Sequence, residues 1–370
     1  MKQETLIVQA NRHVQQVITC SVADQLVKNL PVPVVFFYRE SFEHQELIRS
    51  LKEVLSDFPI FAGILRKEKH NLYIDCNNQG VQFDIKKEDC TLNDILDKFT
   101  TIKKDKLINV INPQKVISSQ SFVMNIQLTY FACGGMVLGI CWHHSLGDMH
   151  TFMQFMKAWS NSVNKKQYTP PLIVEERNKY LEDKIEESKN DTPGVRYLTG
   201  IDLLKLVFYI SFQARDKVSL RFYFPENELN NMKQRFSEDA KVNLSRNDVL
   251  CAHLFSIISE LDDYNRERCL SMAINYRYRI NLPKNLLGNF VSSTDIVSNQ
   301  INQPLQIAEE LRMSVDNFQQ RQMNFSATKK YIEEKGGFKK LNRFISKGID
   351  PLKRTLLITS WANLLCLDTK

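Results

Sequence analysis

The chain has 370 residues, of which 43% are hydrophobic and 25% are charged, with only 12 glycines and 11 prolines. These proportions exclude a disordered or fibrous protein, and the length favours two globular domains of ordinary size. The net charge of +7 is mild, and the 49 basic side chains are spread among 42 acidic ones. This distribution argues against nucleic-acid binding but is compatible with a phosphate-bearing ligand.

The eight cysteines show neither C-x-x-C spacing nor metal-ligand spacing, and most lie within apolar runs. They predict reduced thiols in a reducing compartment, without disulfides or a metal site. The N-terminal residues contain no apolar secretory segment. The most apolar stretch, 201–211, carries Asp202 and Lys205 and is too short to span a bilayer. We therefore expect a cytoplasmic protein with no membrane span.

Short strands and helices follow one another in the first half of the chain. Alternating or continuous apolar residues predict strands at 34–38, 72–75, from 81 onward, 122–131 and 136–142. Apolar residues at helical spacing predict helices at 43–57 and 149–163. Gly134–Gly135 favours a turn that joins the last two strands as an antiparallel hairpin.

Residues 143–148, His-His-Ser-Leu-Gly-Asp, connect the second strand of this hairpin to the next helix. A histidine at a strand end is held by a fixed backbone and titrates near working pH, so it suits a general base. Strand alternation turns His143 and His144 to opposite faces. A pair of surface or core histidines remains an equally good interpretation of the dipeptide alone. Asp148 either orders the turn or holds a cation behind His144. A metal site is disfavoured because no nearby Cys or Glu completes a ligand set.

The second half begins after Pro170–Pro171 and a charged run at 175–190, which predict a solvated linker. Ser245 has the position of a helix N-cap, with Asp248 three residues later. Arg277 and Arg279 would share one face of a strand. The predicted strands lie at 219–224, 270–279 and 354–361, and the predicted helices at 226–236, 245–261 and 304–320.

His144 and Asp148 match the H-x-x-x-D motif of the BAHD family of acyl-CoA-dependent acyltransferases, within the chloramphenicol-acetyltransferase-like superfamily, and the chain resembles that family. The resemblance runs from about residue 14 to residue 361, with its segments in the family's order. These segments are 20–24, 59–65, 75–81, 277–279, 287–290 and 359–361. The chain departs from the pattern at Ile64, where the family has Arg, and at Met149, where it has Gly.

The resemblance implies an α/β fold with two chloramphenicol-acetyltransferase-like domains. Each domain would be a mixed β-sheet flanked by helices, with the active-site channel between the two. It places an N-terminal domain at 1–185, a crossover linker at 186–216 and a C-terminal domain at 217–370.

The implied reaction is transfer of an acyl group from acyl-CoA to an alcohol or amine acceptor, with His144 as the general base. Asp148 and Thr359 would complete the catalytic set, Asp148 by ordering the turn and Thr359 as a donor to the oxyanion. Gly147 and one of the arginines, with Arg279 slightly preferred over Arg277, would support the site, the arginine by pairing with Asp148. Ser245 and Asn289 would lie at the coenzyme A channel. The resemblance implies a monomer that holds no permanent cofactor and no metal and uses acyl-CoA as a co-substrate.

Two rival interpretations stay open at this point. A peptide-synthetase condensation domain uses the same histidine motif but takes its thioesters from carrier proteins. A non-catalytic homologue is the other, because the family's Asp-Phe-Gly-Trp-Gly motif, due shortly after Trp361, is absent. On this basis we expect an incomplete C-terminal domain with an exposed sheet edge and apolar surface. Such a chain would be less stable and less active than one extended by a family-like C-terminus.

Overall fold

The computed structural model describes residues 3–13, 15–97, 106–185, 192–213, 220–261, 268–298, 303–318 and 324–361. The chain divides into two compact units. Among these residues, the first unit comprises 3–183 together with 283–290, and the second comprises 184–282 and 291–361. The short segment 283–290, predicted to lie in the C-terminal domain, therefore packs with the N-terminal half of the chain.

Among the described residues, the first unit contains eight strands and six α-helices. The strands are β1 (Gln3–Val8), β2 (Val17–Thr19), β3 (Pro31–Tyr38), β4 (Ile64–Glu68), β5 (Asn71–Asp75), β6 (Val81–Glu88), β7 (Met124–Phe131) and β8 (Met136–His143). The helices are α1 (Val22–Leu26), α2 (His44–Asp57), α3 (Leu92–Asp97), α4 (Pro113–Ile117), α5 (Met149–Val163) and α6 (Arg177–Glu182).

A five-stranded mixed sheet in the order β1-β6-β7-β8-β3 is the centre of the first unit. Only β6 and β7 are parallel, and β7 and β8 form the predicted antiparallel hairpin, in which Met124 pairs with Trp142. Every residue of β8 is buried. A smaller antiparallel sheet has the order β2-β5-β4.

The core of the first unit contains an aromatic cluster. Phe152 of α5 stacks on Trp142 of β8, with ring centroids 3.8 Å apart and planes 9° from parallel. Trp159, two turns further along α5, donates its indole N–H to the Leu47 carbonyl of α2 at 3.1 Å. Burial of its ring is the main contribution of each of these aromatic side chains to the stability of the fold. As a result, the start of α5 is packed firmly against the end of β8.

The second unit has smaller sheets and longer helices. Its strands are β9 (Val195–Tyr197), β10 (Arg268–Asn275), β11 (Val291–Ser298), β12 (Phe344–Ser346) and β13 (Leu356–Ile358). Its helices are α7 (Gly200–Phe208), α8 (Glu226–Glu238), α9 (Arg246–Leu261), α10 (Pro304–Asp316) and α11 (Phe325–Glu334). The sheets have the orders β11-β10-β13 and β12-β9, and β10 with β13 is the parallel pair.

The structure confirms the predicted mixed α/β class, with sheets flanked by helices, but corrects several element predictions. Residues 220–224 are irregular, although 219–224 was predicted as a strand. The described part of the predicted linker 186–216 contains β9 and α7. Within the described residues, no helix is long and apolar enough to cross a membrane.

Strand β10 ends earlier than predicted. The side chain of Asn275 accepts a hydrogen bond from the backbone N–H of Arg277 at 3.1 Å, and a 3-10 helix, Tyr276–Tyr278, follows. Arg277 and Arg279 therefore do not share a strand face: Arg277 is buried, whereas Arg279 is exposed. Capping by an Asn side chain competes with strand continuation, and alternation alone does not reveal it.

Helix α7 exposes large apolar side chains to solvent, and none of its residues is buried. The exposed set is Ile201, Leu204, Val207 and Phe208. The expected incomplete C-terminal domain stays a prediction. The expected difference in stability and activity from a longer chain stays a prediction.

Candidate active site

The connection from β8 to α5 is a rigid turn with one accessible side chain. Strand β8 ends at His143, a single 3-10 turn spans His144–Leu146, and Asp148 is the N-cap of α5. Of residues 136–148, only His144 is not buried. The turn thus presents one imidazole from a backbone that is otherwise enclosed by protein.

His144 is held through its backbone. Its N–H donates to the Leu30 carbonyl at 3.0 Å, and its carbonyl accepts from the side-chain amide of Asn289 at 2.8 Å. The imidazole Nδ1 is buried and has no hydrogen-bond partner among the described residues. A partly exposed imidazole on a fixed backbone can accept a proton from a substrate group placed within hydrogen-bond reach.

The His143 side chain faces the interior and has a structural role. Its Nδ1 accepts a hydrogen bond from the backbone N–H of Ser145 at 3.2 Å, which caps the 3-10 turn. Burial lowers the pKa of His143 from 6.5 to about 4; the Lys28 backbone opposes this effect, and His144 adds a smaller lowering. His143 is therefore neutral at neutral pH, as its cap bond requires.

Asp148 points into the protein. Its Oδ1 accepts from the N–H of Thr151 at 2.9 Å, and its Oδ2 accepts from the N–H of Phe290 at 2.9 Å. Its own N–H donates to the Gly288 carbonyl at 3.3 Å, and the residue is 1% exposed. A carboxylate in this position caps α5 and attaches the segment 283–290 to the turn.

Position 147 requires a glycine because the side chain of Thr151 lies close to its Cα. A Cβ on Gly147 would lie 2.5 Å from the Thr151 Cγ2. The Thr151 hydroxyl exchanges hydrogen bonds with the backbone of Gly288, 3.0 Å in each direction, so it cannot move aside freely. The predicted supporting role of Gly147 thus has a steric basis in the structure.

A buried ion pair, absent from the sequence prediction, lies behind the turn. Arg177 Nη1 contacts Asp24 Oδ2 at 2.9 Å, and the two side chains are 1% and 0% exposed. Burial lowers the Arg177 pKa, but the charge of Asp24 and its hydrogen bond, with contributions from Cys20 and Cys76, raise the pKa overall. Breaking the pair would leave an uncompensated buried charge.

Hydrogen bonds connect this pair to the histidine turn. Arg177 Nη2 donates to the Leu146 carbonyl at 3.2 Å, and the Ser145 hydroxyl donates to the Asp24 carbonyl at 2.7 Å. Asn289 donates from its side chain to both Asp24 Oδ1 and the His144 carbonyl, each at 2.8 Å.

Sequence analysis missed Asp24 and Arg177 for different reasons. Arg177 lies in the charged run 175–190, which was interpreted as solvated, and burial cannot be inferred from such a run. The sequence around Asp24 does contain a local pattern, because Ser21 and Asp24 have the spacing of a capping box, which they form at the start of α1. That signal predicts a helix start but not an ionic partner.

The remaining predicted site residues lie in the second unit. Ser245 begins α9 by capping: its hydroxyl accepts from the Asp248 N–H at 3.2 Å, and its N–H donates to Asp248 Oδ2 at 2.8 Å. Thr359 is exposed, and its hydroxyl accepts from the Trp361 indole N–H at 3.0 Å. The first unit itself brings together His144, Gly147, Asp148 and Asn289. Among the described residues, no group of three potential metal ligands occurs.

Comparison with known proteins decides the family. The model of the Transferase family matches residues 1–368, almost the whole chain. The chain belongs to this family, the BAHD acyl-CoA-dependent acyltransferases. Shikimate O-hydroxycinnamoyltransferase of Nicotiana tabacum is 27% identical over 308 residues, which are 80% of this chain and 70% of that protein.

Solved structures agree on the fold of this BAHD chain. Vinorine synthase has a TM-score of 0.68 at 17% identity, covering 98% of this chain and 84% of its own. TRI101 of F. graminearum, complexed with coenzyme A and T-2 mycotoxin, has a TM-score of 0.73 at 16% identity, covering 94% and 84%. These likenesses show the two-domain chloramphenicol-acetyltransferase-like fold. The first three curated relatives are matched over 62–70% of their own length.

Proposed function

We propose that this protein transfers an acyl group from acyl-CoA to a hydroxyl or amine acceptor, with His144 as the general base. The observation that carries the proposal is the turn at 144–148, where His144 alone is accessible and the surrounding residues are buried. The family match and the relative named as an O-hydroxycinnamoyltransferase support the reaction class. They favour it over the condensation-domain alternative.

The reaction needs only direct attack. His144 accepts the proton of the acceptor O–H or N–H as the oxygen or nitrogen forms a bond to the thioester carbonyl carbon. The tetrahedral intermediate collapses, the C–S bond breaks, and the thiolate takes the proton back from the imidazolium. The products are the acylated acceptor and free coenzyme A. No covalent enzyme intermediate and no resident cofactor enter this scheme.

Several finer assignments are part of the proposal. Thr359 as oxyanion donor, Ser245 as a coenzyme A contact and an arginine partner for Asp148 stay predictions. Relatives named Shikimate O-hydroxycinnamoyltransferase and Deacetylvindoline O-acetyltransferase support a small acceptor from secondary metabolism. Monomeric state and cytoplasmic location also belong to the proposal.

A screen of acyl-CoA donors against pooled hydroxylated and amine acceptors tests the proposal, with product detection by mass spectrometry. Once a pair turns over, single-turnover rates of His144→Asn and His143→Asn are compared. We expect a loss of about 10²- to 10⁴-fold for His144→Asn. His143→Asn keeps an acceptor for the Ser145 N–H and should retain most activity.

Two outcomes would contradict this assignment. Equal losses in the two folded variants would remove His144 from the role of base. A wild-type chain that binds coenzyme A but turns over no pair in the screen would favour the non-catalytic homologue.

A further inference from the structure

The side chain of Asn289 joins the accessible histidine to the buried ion pair. Its Nδ2 donates one hydrogen bond to Asp24 Oδ1 and one to the His144 carbonyl, both at 2.8 Å. Neither a carboxylate nor a backbone carbonyl can donate, so the amide nitrogen must face both, which settles the orientation of the side chain. Both amide hydrogens are thereby used inside the protein, and the residue is 5% exposed.

Asp24 holds Asn289 in a fixed position. Its Oδ1 also accepts from the backbone N–H of Asn289 at 3.3 Å. Its Oδ2 accepts from the Ser21 N–H at 2.7 Å and from Arg177 at 2.9 Å. With each oxygen bonded twice and the charge balanced by a buried arginine, the carboxylate has one stable arrangement.

The same ion pair restrains the two residues that follow His144. The Ser145 hydroxyl donates to the Asp24 carbonyl, and Arg177 donates to the Leu146 carbonyl. Three consecutive residues of the turn are therefore attached to one charged centre in the core. These bonds join the backbone that carries the imidazole to buried side chains and backbone at three successive residues, which restricts its freedom.

We propose that Asn289 is a positioning residue, which sets the orientation of the His144 imidazole through the His144 carbonyl, and that the Asp24–Arg177 pair is its anchor. The inference rests on the proposed function. It assigns Asn289 a role other than the coenzyme A contact expected from the family resemblance. A misplacement of about 1 Å at a reacting group can cost about 100-fold in rate, so the predicted effect is on kcat rather than on binding.

The test is the variant Asn289→Ala with Gln127→Ala as a matched control. Gln127 is also a buried amide of the first unit, and it also donates to a backbone carbonyl, that of Lys106 at 2.7 Å. For Asn289→Ala we expect kcat to fall about 10- to 100-fold, with the KM for acyl-CoA within about twofold of wild type. Gln127→Ala should lower the urea midpoint about as much as Asn289→Ala does, but it should leave kcat unchanged.

A readout independent of turnover accompanies the kinetics. Hydrogen exchange followed by mass spectrometry should show faster exchange of the amides of residues 144–147 in Asn289→Ala but not in Gln127→Ala. Should Asn289→Ala fail to fold, Arg177→Lys replaces it. That variant keeps the charge beside Asp24 but loses the planar fork that reaches Leu146, and it should show the same pattern at smaller amplitude.

Three results would overturn the inference while the proposed function stands. These are an unchanged kcat in Asn289→Ala, a raised KM for acyl-CoA with kcat unchanged, and equal kcat losses in the two variants. Absence of turnover in the wild-type chain would overturn both, and the exchange data would then show only whether Asn289 restrains the turn.

Discussion

His143 and His144 are adjacent in sequence but have opposite environments. His143 is fully buried and accepts a hydrogen bond from the turn, whereas His144 is partly exposed and held only through its backbone. The difference follows from position, because His143 is the last residue of a strand buried on both faces and His144 begins the turn. The chemical role of each is therefore determined at the scale of one residue.

The lowered pKa of His143 predicts a pH dependence of stability. The folded protein disfavours the protonated form, while the unfolded chain binds the proton with the ordinary pKa of 6.5. Stability is therefore full above about pH 6.5, falls as the pH drops towards about 4 and then loses nothing more from this group. The total is about 3 kcal/mol, at about 1.36 kcal/mol per pH unit.

Urea midpoints of the wild-type chain and of His143→Asn at pH 7.5, 5.5 and 4.5 measure this effect. The variant keeps the cap acceptor but has no titrating ring, so its pH dependence should be shallower. If the urea midpoints of the two proteins changed equally with pH, titration of His143 would not be the cause.

Asp148→Asn is predicted to destabilise the turn. The asparagine amide can accept from only one of the two N–H groups, of Thr151 and Phe290, and turns a donor towards the other. A buried donor left unsatisfied costs about 1–3 kcal/mol, and kcat should fall with the loss of turn geometry. Chemical denaturation and steady-state kinetics measure the two effects.

Asp202→Asn is the control for this substitution. Asp202 accepts from the N–H and the hydroxyl of Thr199 and pairs with Arg196 at 3.0 Å. It lies at the partly exposed start of α7, where water can replace lost bonds and a partly solvated ion pair contributes little. Its shift in urea midpoint should be clearly smaller. If the Asp202 variant were destabilised as much as the Asp148 variant, burial would not be the reason.

At the scale of elements, the site consists of a strand, one 3-10 turn and a helix. A ring stack joins the strand before the turn to the helix after it. Trp142 near the end of β8 stacks on Phe152 in the first turns of α5, and the Trp142 indole N–H lies 3.5 Å from the Gly147 carbonyl. These contacts therefore hold the end of β8 and the start of α5 together. A side chain added at Gly147 would therefore strain this packing.

Gly147→Ala is predicted to reduce both stability and kcat. The backbone of Gly147 is extended, with φ 170°, so the conformation itself tolerates a side chain. The cost arises from the new Cβ, which would meet Thr151 at 2.5 Å and push the start of α5 away from the turn. Overpacking of this kind costs about 1–3 kcal/mol.

Gly200→Ala gives the comparison, because a Cβ at the start of α7 meets no atom within 4 Å. That variant should unfold at the wild-type urea concentration or slightly above it, since alanine favours a helix. A Gly147→Ala protein with the wild-type midpoint and kcat would show that the turn relaxes without cost.

At the scale of the molecule, the described chain forms two compact units with separate sheets. The first unit contains the aromatic cluster, the histidine turn and the segment 283–290, which is hydrogen-bonded to that turn. The second unit exposes the apolar residues of α7. The units therefore differ in how completely their apolar residues are covered.

Coenzyme A is predicted to stabilise the folded protein. A ligand at 100 times its Kd raises the free energy of unfolding by about 2.7 kcal/mol when it binds only the folded state. Thermal unfolding with increasing coenzyme A should show a melting temperature that rises with concentration. ADP at the same concentrations controls for non-specific binding of phosphates to a basic protein. Equal shifts with the two ligands would contradict a specific coenzyme A site.

The sequence by itself determined the local part of this architecture. Apolar alternation identified β7 and β8, the glycine pair located their hairpin, and helical spacing identified α2 and α5 within one or two residues. Each of these signals depends on neighbouring residues and on periods of 2 or 3.6, which a single sequence displays directly. The motif His144-x-x-x-Asp148, and with it the family, was also a local pattern.

Tertiary structure alone decided what lies behind the motif. Asp24 meets Arg177 across 153 positions and Asn289 across 265, and Arg277 is buried while Arg279, two residues later, is exposed. No period connects such residues, and a charged side chain in a polar run has the same local pattern whether it is solvated or paired. Burial of a charge is stable only when folding brings a partner to it. The partner is therefore set by the packing of the whole unit and not by the sequence around either residue.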